Sequence, residues 1–201
     1  MHYQFAYRSH AKALYEALQV DAFYTTMEQS VDNGSPKEAM IRYLDYSIRE
    51  AGQFGTVTLP ERHDHGVSVW SKPLSDELQK QKDHYKEQFL EQHMGRSSLD
   101  TYRAIVDFMA QATGEVVTGD AWYLSIIGIL PAHQGKGLGA ELLEPVLEKT
   151  DCLQVSTYLE TFTPRNVSFY ERFGYRSIKE IQEPTTGAVY QVMLRESAPD
   201  T

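Results

Sequence analysis

Several features that mark particular classes of protein are scarce or missing in this sequence. It contains one cysteine, Cys152, which cannot form a disulfide within the chain. We expect a buried thiol at a strand edge there rather than a nucleophile. No apolar run approaches the roughly eighteen residues of a membrane helix, and no signal peptide is visible. The sequence therefore predicts a cytoplasmic protein with no membrane partner.

Basic residues are also few. Lys and Arg number 19 against 28 Asp and Glu, which gives a formal net charge of -9. No cluster of basic residues falls on a predicted helix, so we expect no nucleic-acid partner. An acidic protein suits a cationic substrate such as an amine, but acidity is common among proteins and this indication is weak.

The remaining composition is that of an ordinary globular protein. With 201 residues, 41% of them hydrophobic and 23% charged, the chain can form one sizeable core. We predict a single domain over residues 1–201, because no repeat or linker interrupts the sequence.

Periodicity predicts four helical stretches, over 10–30, 36–52, 75–94 and 97–113. The second begins at Pro36 and is capped at Gly52. The last two form a helical insert at about 75–113. Periodicity also predicts strands over 2–8, 56–59, 67–70, 122–130, 153–162, 175–181 and 188–194.

The most informative stretch runs from Trp122 to Ala140. Its apolar part, 122–130, is long enough for a strand buried on both faces, and Pro131 ends it. Three alternating glycines then lead into a helical pattern in which Pro145 predicts a kink or a shortened helix. Free N–H groups at a helix N-terminus, together with the helix dipole and glycines that let a ligand approach, form an anion site. The stretch therefore predicts binding of a phosphate compound.

The identity of that compound is open at this level. A Walker A loop is excluded, because Leu130 and Gly137 stand where the motif needs a glycine and a hydroxyl. A dinucleotide fingerprint fits Gly135, Gly137 and Ala140 loosely, but too little chain follows to complete a doubly wound sheet. A third interpretation is that the glycines serve only to turn the chain.

Two segments carry a family resemblance. Gln134-x-x-Gly137-x-Gly139, after the strand, is similar to the pyrophosphate-binding signature of the GNAT superfamily of acyl-CoA N-acyltransferases. The segment from Pro164 to Tyr175 resembles the puromycin N-acetyltransferase branch most closely. The likeness covers about residues 122–176, with a weaker echo at 66–73.

The resemblance implies an α/β (mixed α+β) fold. Its central sheet would be mixed, mostly antiparallel and of about seven strands, with the acyl-CoA core at about 119–176 and the cleft where the central strands splay. It also implies acetyl-CoA as cosubstrate, no metal, and an amine of a small molecule or peptide as acceptor. A homodimer is compatible with it, but the sequence does not determine the oligomeric state.

The resemblance also assigns residues to the acyl donor. The N–H groups of Ile129 and Leu130 would hold the acyl carbonyl where the strand bulges. The diphosphate would lie on the N–H groups of the following loop, namely Gln134, Gly135, Lys136, Gly137, Leu138, Gly139 and Ala140. Asn166, with Phe169, would lie beside the pantetheine. The usual family pattern has its asparagine seven residues before the tyrosine, where this chain has Thr163.

Two residues are candidates for catalysis. Tyr170 matches the tyrosine that many GNAT members use as general acid toward the departing thiolate, and the alternative is an aromatic packing residue. Glu160 is the candidate base, because alternation along its strand places it between aromatic side chains, where burial raises a carboxyl pKa. The alternative is a carboxylate paired with a lysine or arginine.

Three functional hypotheses follow from these residues. The first is an N-acetyltransferase in which the amine attacks the thioester directly. The second is a non-catalytic sensor of the same fold that binds coenzyme A, and the weaker third is a dinucleotide-binding protein. A metal site at His63-Asp64-His65 is disfavoured against a solvated hairpin loop, because no further ligand lies nearby in sequence.

Overall fold

The computed structural model describes residues 3–198. Five helices and two strands come before residue 115, and the other four strands of the central sheet come after it. The helices are α1 (Arg8–Leu18), α2 (Ala22–Gln29), α3 (Pro36–Phe54), α4 (Asp76–His93), α5 (Arg96–Gly114), α6 (Leu138–Cys152) and α7 (Val167–Glu171). The strands are β1 (Gly55–Thr58), β2 (Gly66–Ser71), β3 (Trp122–Ile129), β4 (Thr157–Thr161), β5 (Arg176–Gln182) and β6 (Val189–Arg195). Short 3₁₀ turns cover Pro131–His133 and Pro164–Asn166.

The strands form one sheet in the order β1-β2-β3-β4-β6-β5. Only β3 and β4 are parallel, and every other neighbouring pair is antiparallel. The predicted mixed, mostly antiparallel sheet flanked by helices is confirmed. Its described part has six strands rather than about seven.

The prediction of a strand over 2–8 is wrong for the residues that the structure describes. Residues 3–7 belong to no strand, and α1 begins at Arg8. The N–H groups of Ala6 and Tyr7 donate to the carboxylate of Asp45 on α3, not to a neighbouring strand. The Tyr3 hydroxyl donates to the same carboxylate at 2.8 Å. This segment is therefore held by hydrogen bonds to α3 and by packing of Tyr3 against Phe89 and His93 of α4, rather than by a β ladder.

A helix boundary differs from the prediction at the end of α3. The helix that begins at Pro36 continues through Gly52 to Phe54, where Gly55 caps it. Pro145 lies inside α6 without ending the helix. Cys152, at the end of α6, is exposed and not buried as predicted.

Helices pack on both faces of the sheet, and the side chains of β3 divide between them. Ile126 packs with the cluster formed by α1 and α3. Leu124 and Ile127 pack with the cluster formed by α6 and the segment around Tyr170. Leu124 and Ile126 are both buried and belong to different clusters, so β3 buries side chains on both of its faces as predicted, although its other positions are only half-buried. Within residues 3–198 no helix is both long and apolar enough to cross a membrane.

We expect Asp45→Asn to lower the free energy of unfolding by about 3 kcal/mol, because an amide cannot accept from all three donors around this buried position. Urea denaturation measures the difference. Glu38→Gln on the same helix is the control. Its ion pair with Arg8 is solvent-exposed and should contribute under about 1 kcal/mol. Equal losses in the two variants would contradict the role of Asp45.

Candidate active site

The central feature of the site is a fork between the two parallel strands. β3 and β4 pair only from Trp122 to Leu124, opposite Thr157 to Leu159. Beyond that point β4 continues along β6, while β3 continues along β2. The edge of β3 that faces β4 is therefore unpaired from Ser125 onward, and a cleft opens between the strands.

A β-bulge lies at the base of this fork. Trp70 on β2 pairs with Leu124 and Val69 pairs with Ile126, so Ser125 has no partner across the ladder. The Ser125 hydroxyl donates instead to the Val69 carbonyl at 3.0 Å. The predicted position of the bulge, at Ile129 and Leu130, is thus wrong.

The two N–H groups predicted to hold the acyl carbonyl point to opposite sides of β3. That of Leu130 donates to the His65 carbonyl at 2.6 Å and is not available to a ligand. Hydrogen bonding alternates along an antiparallel ladder, so the polar backbone groups of Ile129 face the cleft. The Gln134 side chain confirms this direction, because it donates to the Ile129 carbonyl at 2.9 Å.

The glycine loop after β3 is exposed and has the backbone of an anion site. Gly135 and Gly137 have φ of 75° and 81°, a left-handed conformation that favours glycine. The N–H groups of Gln134 and Ala140 are occupied by the carbonyls of Pro131 and Gly137. The predicted donors whose N–H groups remain for a diphosphate are Gly135, Lys136, Gly137, Leu138 and Gly139.

Gly139 has a packing role that the sequence did not reveal. A Cβ atom there would lie 2.8 Å from the Phe169 ring, closer than real Cβ contacts. The Phe169 ring in turn packs edge-on against Tyr170 and Phe173, with centroids 5.2 Å away in each case. Gly139 therefore lets α6 approach the segment that carries Tyr170.

Stacked imidazoles connect the glycine loop to the loop between β1 and β2. The rings of His65 and His133 are 3.5 Å apart, and those of His63 and His65 are 4.7 Å apart. The rings lie face to face instead of directing their nitrogens to one point. Among residues 3–198, no group of three or more His, Cys, Asp or Glu side chains could hold a metal ion.

Glu160 is the first residue of β4 beyond the fork. It accepts hydrogen bonds from the Thr113 hydroxyl and, at 3.0 Å, from the Tyr123 hydroxyl. Burial raises the pKa of Glu160, and the two hydroxyl donors offset part of that rise. No lysine or arginine within residues 3–198 forms an ion pair with Glu160. The alternative interpretation of Glu160 as a carboxylate paired with a lysine or arginine is therefore wrong for this part of the chain.

Tyr170 is buried on the other side of the fork, where it packs edge-on against Phe169 and Tyr175. Burial raises its pKa, and the nearby Tyr175 and Asp21 raise it further, so the phenol keeps its proton. Asn166 is half-buried one helical turn before Tyr170, and its N–H donates to the Thr163 carbonyl at 2.9 Å.

A cavity of about 490 Å³ lies between the helical layer and the fork. Its walls come from α2 to α5 on one side and from β3 and β4 on the other. Its lining includes Glu160, Ser125 and Ile126, so the cavity reaches both the candidate base and the bulge. Aromatic side chains form much of the remaining wall.

Six charged residues of this cavity besides Glu160 were not identified from the sequence, namely Asp21, Glu50, Lys72, Lys82, Asp83 and Lys86. Asp21 caps α2 by accepting from the Phe23 N–H at 3.0 Å, and burial raises its pKa to about 6. Glu50 on α3 and Lys86 on α4 form a buried ion pair at 3.2 Å. Asp21 could have been noticed as an N-cap before α2. Nothing local distinguishes Glu50 and Lys86 from charges on a solvated helix face.

The part of the chain around the fork is similar to known proteins. Residues 100–177, under half of the chain, match the family model described as "Acetyltransferase (GNAT) domain". An uncharacterized N-acetyltransferase of Schizosaccharomyces pombe is 31% identical over 83 residues. That match covers 40% of this chain and about a third, 33%, of the length of the yeast protein.

Solved structures match the described fold along nearly its whole length. A Corynebacterium glutamicum protein described as "histone acetyltransferase HPA2 and related acetyltransferase" matches with a TM-score of 0.64 at 18% identity, covering 97% of this chain and 93% of its own. Arylalkylamine N-acetyltransferase 2 of Aedes aegypti matches with a TM-score of 0.63 at 11% identity, covering 94% of each chain. At these identities the likeness shows the fold alone, which this chain shares with these acetyltransferases.

We expect Gly139→Ala to lower the free energy of unfolding by about 1 kcal/mol or more, because its Cβ atom would displace the Phe169 ring. In a Phe169→Leu background the same change should be neutral or stabilising, since alanine favours the helix. A double-mutant cycle by urea denaturation measures the coupling. Gly52→Ala in α3, whose Cβ atom would meet nothing within 4 Å, is the control. A cost at Gly139 that is independent of residue 169 would contradict the packing role.

Proposed function

We propose that this protein is an N-acetyltransferase that transfers an acetyl group from acetyl-CoA to a primary amine of a small molecule or peptide. The observation that carries the proposal is the fork between β3 and β4. One side of it ends in a loop with free N–H groups, and the other opens onto a cavity lined by the Glu160 carboxylate. We further propose that the chain works as a single domain, because one sheet supplies both sides.

The donor side of the fork is suited to hold a long phosphorylated thioester. The N–H groups from Gly135 to Gly139 would bind the diphosphate at the start of α6. The unpaired edge of β3 would hydrogen-bond to the pantetheine amides as an added strand does. Donors on that edge near the bulge would stabilise negative charge on the thioester oxygen during attack.

The acceptor side contains groups for the proton transfers. A protonated amine cannot attack, so a base must remove its proton, and Glu160 is the carboxylate at the fork. Two hydroxyl groups orient it, and no lysine or arginine within residues 3–198 forms an ion pair with it. Tyr170, on the opposite side, would donate the phenol proton to the departing thiolate. The amine attacks the thioester carbon directly, and no covalent enzyme intermediate is required.

The comparisons support this proposal at a general level. The family description and the names of the matched proteins refer to acetyl transfer, and the mosquito enzyme is named for arylalkylamines. The likeness to the puromycin N-acetyltransferase branch stays a prediction, as do the cytoplasmic location and the homodimer. Puromycin therefore belongs in the panel of amines to be tested.

We expect the purified protein to release free coenzyme A thiol from acetyl-CoA when it is offered a panel of primary amines. Tyr170→Phe should lower kcat about a hundredfold, because the leaving thiolate loses its proton donor. Tyr175→Phe is the control, since it removes a neighbouring buried phenol that bonds to Thr157. Tight binding of coenzyme A without turnover of any amine would favour the sensor instead.

We expect kcat/KM to fall at acidic pH along a limb that lies above the ordinary glutamate pKa of 4.5, because the base must be deprotonated and its pKa is raised. Glu160→Gln should lower the rate about a hundredfold and remove this limb. The measurement is a pH profile of both proteins with the same amine, so that ionisation of the substrate contributes equally. An identical acidic limb in the variant would show that another group is the base.

A further inference from the structure

The wall of the cavity formed by β2 and α4 carries a positive charge that no described carboxylate neutralises. Lys82 on α4 is half-buried and lines the cavity. Within residues 3–198 it forms no ion pair. Lys86, one helical turn further on, is instead paired with Glu50 at 3.2 Å. Lys82 is therefore an ammonium group of the cavity wall that lacks a counterion.

The Ser71 hydroxyl supplies a second hydrogen-bond donor beside Lys82. Its oxygen accepts from Lys82 Nζ at 3.3 Å, and within residues 3–198 its own proton is donated to no acceptor. Ser71 is half-buried and also lines the cavity. An ammonium keeps two further N–H donors after one is used, and a hydroxyl can rotate toward an acceptor. The two groups can therefore donate to one carboxylate together.

Two more lysines strengthen the positive potential around Ser71. Lys72 lines the cavity, and its Nζ lies 4.6 Å from the centre of the Trp122 ring. Lys149 Nζ lies 5.8 Å from the same ring. Burial lowers the pKa of Lys72, and the ammonium of Lys149 lowers it further. Asp83, the carboxylate of the cavity on this helix, is exposed. Like charges gathered in a protein of net charge -9 favour an anionic ligand.

The two donors lie on the same face of the sheet as the candidate base. Ser71 on β2 pairs with Tyr123 on β3, and paired residues direct their side chains to the same face. The Tyr123 hydroxyl donates to Glu160 on β4. Because β3 alone separates β2 from β4, two strand spacings, about 10 Å, lie between the donors and the base. A molecule with an amine at one end and an anion at the other can span this distance.

We propose that Lys82 Nζ and the Ser71 hydroxyl bind a carboxylate of the acceptor, so that the substrates are amines with an anionic group about 10 Å from the reacting nitrogen. This inference rests on the proposed acetyl transfer, which places the reacting nitrogen at Glu160. The chemistry required is that of ω-amino acids, of the side-chain amine of lysine and of the N-terminal amine of short peptides. Simple alkylamines lack the anion and would leave the ammonium without a counterion.

The test compares three series of acceptors from pentyl to octyl chains: ω-amino acids, their primary amides and alkylamines. At the best chain length the acid should exceed its amide in kcat/KM by about tenfold at low ionic strength. The advantage should shrink at high salt, because an ion pair at a half-buried position is partly screened. Equal kcat/KM values for acids and amides would overturn the inference while leaving acetyl transfer intact.

A fourth series, the ω-aminoalkyl phosphonates, distinguishes a carboxylate from a phosphate-like anion. Two donors on neighbouring atoms match the two oxygens of a carboxylate, so the acids should exceed the phosphonates in kcat/KM. A phosphonate that is preferred to the acid of the same length would overturn the choice of a carboxylate.

The matched variant is Lys82→Gln combined with Ser71→Ala, which removes both donors. The advantage of the acid over its amide should fall to near one, mainly through a higher KM for the acid, because binding of the far end is not part of the chemical step. Both positions are half-buried, so the protein should still fold, and Lys82→Gln alone is the milder variant. An advantage retained by the folded double variant would overturn the inference.

The control variant is Lys80→Gln, which removes the same formal charge from the same helix. Lys80 is exposed and does not line the cavity, so the advantage of the acid should be unchanged. An equal fall in the Lys80 and Lys82 variants would show a general effect of net charge and would overturn the site.

A binding measurement separates this inference from the proposed function. If no amine is acetylated, acetyl transfer is refuted, and calorimetric titration with each compound alone still tests the cavity. Tighter binding of the ω-amino acid than of its amide, lost in the double variant and kept in Lys80→Gln, supports the anion site. Equal affinities for acid and amide refute it.

Discussion

The separation of β3 from β4 after Leu124 and Leu159 is the constraint on which the rest of the site depends. If the two parallel strands stayed paired, the backbone N–H and C=O groups that the fork leaves free would be hydrogen-bonded between them. The bulge at Ser125 coincides with the point of separation. It marks where β3 stops pairing with β4 and follows β2 alone. The unpaired edge of β3, the position of Glu160 and the opening of the cavity all follow from this one departure from a regular sheet.

The elements around the fork are held by contacts that do not themselves face a substrate. Gly139 lets α6 approach Phe169, and the stacked rings of His65 and His133 join two loops. On the other side, α3 binds Tyr3, Ala6 and Tyr7 through Asp45 and contacts α4 through the ion pair of Glu50 and Lys86. The cavity is thus formed between a helical layer and a sheet that are each fixed by separate interactions. Most of the helical layer lies outside the matched residues 100–177.

Local patterns predicted much of the fold because they depend on residues close in sequence. The six observed strands and the helices on either side of Gly95 were all anticipated from periodicity. The strand over 2–8 was wrong because alternation is also produced by aromatic residues packing onto a helix, and only the distant Asp45 shows which applies. The bulge was misplaced because its position depends on the register with β2, which no local pattern specifies.

The sequence by itself determined the glycine loop that is proposed to bind the diphosphate, since glycine conformation and helix N-terminal N–H groups are local properties of residues 135 to 139. It also indicated Glu160, through alternation along one strand. Only the tertiary structure decided which N–H groups are free, as Leu130 shows by donating to His65. It alone placed Asp21, Glu50 and Lys86 around one cavity. The physical reason is that hydrogen-bond occupancy and burial are set by partners far apart in the chain, and helical charges give the same local pattern whether they face water or a cavity.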